Sequence, residues 1–226
     1  MGSRGYDGLM ALRGRPPGGD SAETKRRIVD VARDEFARSG YAATAVTTVA
    51  AAAGLAPSAI YHYFGGKADL YEAVFEATSS AVWGDLGASA DGYATLGEAV
   101  DAMVAGARDL VYTRRHYNDF LALVPMEARL HEQFAPLLDR RSKYQDDTFG
   151  ALAELGLSTG ELDGFNLTQA TEVIRSVIMG WFFERHFRGY EIEGSGDAVV
   201  HLFDVLASDK RLMRKRGQTH GSGPKR

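Results

Sequence analysis

Two short helical patterns on either side of one glycine, Gly54, constrain the fold of this chain more than any other feature. The first pattern begins near Thr44 and consists largely of alanine and valine. Gly54 follows it where a tight turn needs a residue that tolerates a left-handed backbone. Pro57 suits the first turn of the second helix, where its missing N–H costs nothing. Two short helices joined by a glycine-containing turn form a helix-turn-helix.

Apolar residues recur at three- and four-residue spacing through most of the remaining chain, which predicts helices rather than strands. In the first predicted helix, capped at Asp20, the apolar stripe consists of Ile28, Ala32 and Phe36, and the stripe ends at Gly40. Hairpin patterns and internal repeats are absent, so the predicted fold class is all-α. Further helices are predicted over residues 68–83, 95–111, 117–131, 136–155, 166–187 and 197–206.

Three consecutive ring residues, Tyr61, His62 and Tyr63, lie in the second short helix. They cannot all face one core, because successive residues of a helix point in different directions. Tyr61 and His62 are therefore predicted to offer donors to phosphates or bases. The alternative is that the rings brace the neighbouring helices, and for Tyr63 both interpretations stand.

The residues around this turn closely resemble the N-terminal signature of the tetracycline-repressor (TetR) family, with types and spacings that match together over about thirty positions. The resemblance covers residues 20–75. It implies three N-terminal helices that bind DNA and a larger helical domain that dimerises and usually holds a small effector. The matching residues are Gly40-Tyr41, Thr44, Val49-Ala50, Ala53-Gly54-Leu55, Ile60-Tyr61, Tyr63-Phe64, Lys67 and Leu70.

The resemblance assigns the start of the recognition helix to Ala56, Pro57, Ser58 and Ala59, which would approach base edges. Ser58 is the only ordinary hydrogen-bonding side chain among them, so base discrimination would rest on Ser58, His62 and methyl contacts from Ala59. The family often has serine or threonine where Ala56 stands, which predicts a weaker helix cap here. Positions that resemble phosphate clamps are Thr44, Thr48, Tyr61 and Lys67, with Tyr63 as a further candidate.

Arg13-Gly14-Arg15-Pro16 looks like the core of an AT-hook, in which two arginines enter a narrow minor groove. Arg13 and Arg15 are therefore candidate DNA contacts, and the alternative is a solubilising tail. The predicted organisation is a flexible basic arm, a helix-turn-helix domain, a helical effector-binding and dimerisation domain, and a flexible basic tail, over residues 1–19, 20–67, 68–213 and 214–226.

The net charge of −4 conceals an uneven distribution along the chain. Residues 1–70 carry a net charge of +2, residues 71–208 carry −12, and residues 209–226 carry +6. The acidic region should repel DNA, as expected of a regulatory body held away from it.

Candidate effector-binding residues are those where aromatic side chains mix with isolated polar groups in the acidic region. Arg175 lies in an apolar helix and needs an anion, for which Glu127, Glu172 or an acidic ligand are candidates. Ordinary core packing is the alternative for the whole set. These residues are Tyr112, His116, Phe120, Met126, Arg129, Phe134, Tyr144, Phe149 and Arg175.

The resemblance implies that the last two long helices form a four-helix dimer interface, and their apolar composition fits. A dimer would hold two recognition helices roughly 34–36 Å apart, one DNA turn. The alternative is burial within one chain. The candidate interface residues are Met179, Trp181, Phe182, Phe183, Phe187, Val199, Phe203 and Leu206.

Several other classes of protein lack the residues that they need. The chain has no cysteine, which excludes disulfides and thiolate zinc sites. No His-Glu-x-x-His pair, glycine-rich phosphate loop or Gly-x-Ser-x-Gly elbow occurs, so we expect no enzyme, metal or cofactor. No signal-peptide pattern is found, and the most apolar stretch is interrupted by Arg175, so we expect a cytoplasmic protein without a membrane partner.

The sequence thus predicts a homodimeric transcriptional regulator, foremost a repressor that a small lipophilic or carboxylate-bearing effector releases from a palindromic operator on double-stranded DNA. One alternative is a regulator of the same fold controlled by a protein partner. Another is a small-molecule-binding protein or an enzyme.

Overall fold

The computed structural model describes residues 17–87, 92–188 and 192–205, whose regular structure is helical throughout. The predicted all-α class is therefore confirmed. None of the helices in these ranges combines the length and apolar character that crossing a membrane requires. The helices are α1 (Pro17–Ala43), α2 (Val46–Ala52), α3 (Pro57–Phe64), α4 (Lys67–Gly87), α5 (Leu96–Thr113), α6 (Arg115–Leu130), α7 (Ala135–Ser158), α8 (Leu167–Arg188) and α9 (residues 195–205), with a short 3-10 turn at Glu132–Phe134.

Helices α1 to α3 form an N-terminal head. The predicted stripe of α1 is buried, and Gly40, with φ of 74°, interrupts the helical dihedrals where the stripe was expected to end. Helix α1 begins at Pro17, so the prediction of a cap at Asp20 is wrong. The cap pattern misled because Pro17 is itself suited to the first turn of a helix.

The turn between α2 and α3 has the hydrogen bonds of a Schellman motif. Gly54 has φ of +67°, the left-handed conformation that favours glycine. The Leu55 N–H donates to the Ala50 carbonyl at 2.8 Å, and the Gly54 N–H donates to the Ala51 carbonyl at 3.0 Å. These bonds end α2 and redirect the chain into α3, as the sequence predicted.

An aromatic cluster joins the head to the remaining helices, which form the body. Helix α1 packs against α4 and α6. The Phe36 ring lies 5.0 Å from that of Tyr71 in α4 and 6.5 Å from that of Phe120 in α6. Tyr71 also lies 4.5 Å from Phe134 and 5.4 Å from Tyr41. We call these five residues the junction cluster.

Tyr71→Phe is expected to raise the free energy of unfolding by about 1 kcal/mol, because an unpaired buried hydroxyl costs free energy. Tyr71 is 1% exposed, and its hydroxyl has no hydrogen-bond partner among the described residues. Burial also raises the pKa of this phenol. Urea denaturation measures the change, and a loss of stability would show that the hydroxyl is satisfied in solution.

Some predicted site residues fall outside the part of the chain that the structure describes. Arg13, Arg15 and Leu206 lie beyond it, as do the side chains of Tyr112 and Phe187. Their predicted roles stay predictions.

Candidate functional site

The outer face of α2 and α3 presents most of the predicted DNA-contacting residues to solvent. Ser58 and His62 are exposed, and Tyr61 is 57% exposed. Ala56, Pro57 and Thr48 are also exposed, whereas Ala59 is half-buried. Tyr63 is half-buried and packs on the core, which favours its bracing role.

The same face carries no negative charge of its own. No aspartate or glutamate occurs from Gly40 through Ala68. Phosphate groups can therefore approach α2 and α3 without repulsion from a carboxylate on these helices.

Lys67, the first residue of α4, is held in place by the head. Its Nζ donates to the Ala42 carbonyl at 3.1 Å and lies 4.4 Å from the centre of the Tyr41 ring. Burial lowers the pKa of this ammonium. An ammonium has three N–H groups, so donors remain for a phosphate.

Thr44 does not have the predicted phosphate-clamp position. It is 4% exposed, and its hydroxyl donates back to the Gly40 carbonyl of α1 at 2.7 Å. Residue Ala45, not Thr44, caps α2, and neither Ala45 nor Ala56 makes a side-chain cap bond. The prediction for Thr44 is wrong because the bend at Gly40 turns the hydroxyl back onto α1.

The end of α6 contacts the head beside the bend at Gly40. Glu127 Oε1 accepts the Tyr41 N–H at 2.8 Å, and Glu127 Oε2 lies 3.3 Å from His131 Nε2. The φ of +74° at Gly40 favours glycine, and a Cβ there would in addition lie 2.8 Å from Glu127 Oε1, which would have to move.

Glu127→Ala is expected to lower the free energy of unfolding by about 1–3 kcal/mol, because the Tyr41 N–H loses its acceptor. Glu127→Gln keeps an oxygen that can accept this bond and should retain most of the stability. Guanidinium denaturation of the two variants measures the difference. Equal losses would assign the effect to the charge rather than to the hydrogen bond.

The body contains an apolar cavity between α4, α5, α6, α7 and α8. Its volume of about 30 Å³ leaves room for little more than a water molecule, so a larger ligand would have to displace lining side chains. The lining residues are Val82, Trp83, Met103, Ala107, Leu121, Ala122, Arg141, Ile178, Met179, Trp181, Phe182 and Phe183.

The predicted effector residues do not line this cavity. Phe120 and Phe134 belong to the junction cluster, and Phe149 packs behind the lining residue Trp83. His116, Met126 and Arg129 are exposed, and the Tyr144 hydroxyl donates to Glu76 at 3.1 Å. The structure does not bring these residues together around the cavity, because a mixture of aromatic and polar residues in the sequence does not show which helix faces converge. Their effector role stays a prediction.

Arg175 also lies away from the cavity, in an open groove between α7 and α8. Its guanidinium bonds to Asp146 and, at 3.0 Å, to Glu172. Of the anions considered from the sequence, Glu172 is therefore the partner, and Glu127 is not. Two carboxylates already pair with Arg175, so it does not need an acidic ligand as its counter-charge, and its effector role stays a prediction.

Four residues predicted for the dimer interface line the cavity: Met179, Trp181, Phe182 and Phe183. Phe203 is 2% exposed within the single chain, and Val199 packs on the core. These contacts favour burial within one chain, the alternative given above, and the interface role of these residues stays a prediction, since helical periodicity marks an apolar face but not what covers it. Leu202 and Val205 of α9, which the prediction omitted, are the exposed apolar residues there.

The head matches a known family. Residues 28–74 match the family described as "Bacterial regulatory proteins, tetR family". The chain is also similar to the HTH-type transcriptional regulator AcrR of Shigella flexneri, with 35% identity over 63 residues. That alignment covers 28% of this chain and 29% of the relative.

The fold of the whole described chain resembles solved structures at low identity. FadR from Bacillus subtilis, solved with stearoyl-CoA, has a TM-score of 0.66 and 21% identity over 79% of this chain and 96% of that chain. The SmeT–triclosan complex, of a Stenotrophomonas maltophilia repressor, has a TM-score of 0.67 and 15% identity over 80% and 90% of the two chains.

Proposed function

Because this chain belongs to the TetR family through its N-terminal domain, we propose that the whole chain is a transcriptional repressor that a small effector releases from DNA. The observation that carries the proposal is the exposed, carboxylate-free face of α2 and α3 with Ser58, Tyr61 and His62. These side chains suit base edges and phosphates. Such a regulator would act in the bacterial cytoplasm.

We propose a homodimer that binds a palindromic operator. Two recognition helices one DNA turn apart would read half-sites about 10 base pairs apart. The exposed Leu202 and Val205 support α9 as part of the interface, with α8 beside it.

We propose a small apolar molecule rather than a protein partner as the controlling ligand, because the wall of the cavity is apolar and the flexible side chains of Met103 and Met179 can move to admit it. The complexes of FadR with stearoyl-CoA and of SmeT with triclosan support this choice. Helix α6 lines the cavity with Leu121 and Ala122, and about one and a half turns later Glu127 bonds to the head. An effector that displaces α6 would thus shift the population toward dimers whose recognition helices no longer match the operator.

Selection from a random duplex pool with the purified chain tests the proposal. We expect enrichment of an inverted repeat with half-site centres about one helical turn apart. An effector should then weaken DNA binding, and the operator should weaken effector binding by the same factor. Enrichment of no sequence, or of a single half-site only, would contradict the dimeric repressor.

A further inference from the structure

We infer that the cavity takes a molecule with an apolar body and one carboxylate, and that Arg141 binds this carboxylate. The inference rests on the proposed function, since it names the chemical class of the effector. The wall of the cavity is apolar, and it contains one arginine, Arg141, with which no described carboxylate pairs.

Every lining residue except Arg141 is hydrophobic. The indole N–H of Trp181 is not available to a ligand, because it donates to Ser195 Oγ at 3.0 Å. The wall therefore favours hydrocarbon or aromatic groups over hydroxyl-rich ligands, and Arg141 is the point where a charge can be accommodated.

No carboxylate among the described residues forms an ion pair with Arg141, and no described acceptor bonds to its guanidinium. The carboxylates nearby are used by other arginines. Arg140 takes Glu72 and Glu76 at 2.7 and 2.6 Å, and Arg175 takes Asp146 and Glu172. The Arg141 guanidinium instead faces the Phe183 ring, 5.8 Å from its centre.

Arg141 is half-buried, so its guanidinium loses part of its hydration without gaining a counter-charge, and an anion that reaches it would be bound favourably. Burial, and then the positive charge of Arg175, lower the pKa of Arg141, which is the direction expected for a cation without a counter-charge. An anion that enters the cavity would offset both the lost hydration and the repulsion from Arg175.

A single carboxylate fits this site better than a phosphate monoester. The planar guanidinium matches a carboxylate with two parallel hydrogen bonds. One negative charge neutralises Arg141, whereas a phosphate monoester carries about −1.5 to −2 and would leave excess charge in apolar surroundings.

The fluorescence of the protein provides a local readout, because both tryptophans of the chain, Trp83 and Trp181, line the cavity. The full-length protein is titrated with decanoate and with 1-decanol, which share a ten-carbon chain, below the concentrations at which they aggregate. We expect decanoate to bind about 10- to 100-fold more tightly, the value of a charge-assisted hydrogen-bond pair.

Arg141→Met keeps an apolar stem and removes the charge, so it should bind both probes with nearly equal affinity. Arg141→Lys keeps the charge without the planar fork and should retain a preference of a few-fold. Arg140→Met is the matched control, since it removes a charge one residue earlier that already has protein partners, and it should keep the full preference.

Equal affinity of the wild-type protein for both probes, an undiminished preference in Arg141→Met, or no fluorescence response would overturn the inference. DNA binding of the same preparations separates this result from the proposed function. Retained DNA binding without a carboxylate preference rejects only the role of Arg141. A carboxylate preference in a protein that binds no duplex rejects the repressor and supports the carboxylate site.

Discussion

Replacing Ser58 by glutamate is expected to lower operator affinity about 100- to 1,000-fold while leaving the thermal unfolding midpoint unchanged. Ser58 is exposed in the first turn of α3, and its hydroxyl has no hydrogen-bond partner among the described residues. Losing a base contact costs about 1–3 kcal/mol, and repulsion between the exposed carboxylate and the phosphates brings the total to about 3–4 kcal/mol. The proposed dimer would carry this charge at both half-sites.

The fold should tolerate the Ser58 variant, because a carboxylate in the first turn of a helix interacts favourably with the helix dipole. Ser58→Gln is the matched control. Glutamine has nearly the size of glutamate but no charge, so the difference between the two variants gives the electrostatic part of the loss. Fluorescence anisotropy with the selected inverted repeat measures both variants. Wild-type affinity in Ser58→Glu would remove the start of α3 from the DNA interface.

Phe36→Ala is expected to lower the free energy of unfolding by about 3–5 kcal/mol, a large fraction of the 5–15 kcal/mol typical of a domain. The ring is 1% exposed, and it contacts Tyr71 and Phe120 across the boundary between head and body. Its removal leaves a cavity that three helices border. The loss should therefore appear in the whole protein rather than in the head alone.

Urea denaturation followed by circular dichroism and by tryptophan fluorescence tests the Phe36 prediction. Both tryptophans lie in the body, at the cavity, so coincident transitions would indicate that head and body unfold together. Phe36→Leu, which keeps most of the volume, should lose less than half as much stability. A loss below about 1 kcal/mol in Phe36→Ala would contradict a close-packed junction cluster.

The sequence sufficed to predict the helix-turn-helix because its signals are local. Gly54 and Pro57 restrict the backbone by their own chemistry, and the four-residue stripe of α1 follows from the pitch of a helix. The exposure of Tyr61 and His62 followed from the same geometry. Thr44 was mispredicted because its environment depends on the bend at Gly40, which brings its hydroxyl back to α1.

The cavity could not be predicted from the sequence, since its wall is drawn from five helices. Arg140 and Arg141 are adjacent and identical in type, yet one pairs with two glutamates of α4 and the other faces the cavity. Helical rotation of about 100° between neighbours separates them, and only packed helices determine which direction is buried.

The sequence by itself determined the all-α class, the turn between two short helices and the separation of slightly basic residues 1–70 from acidic residues 71–208. These properties depend on backbone preferences and on charges that can be counted along the chain. The tertiary structure decided which apolar faces meet, that Glu127 links α6 to the head, and that Arg141 rather than Arg175 lacks an anion. Those features depend on contacts between residues far apart in sequence, whose pairing local preferences do not specify.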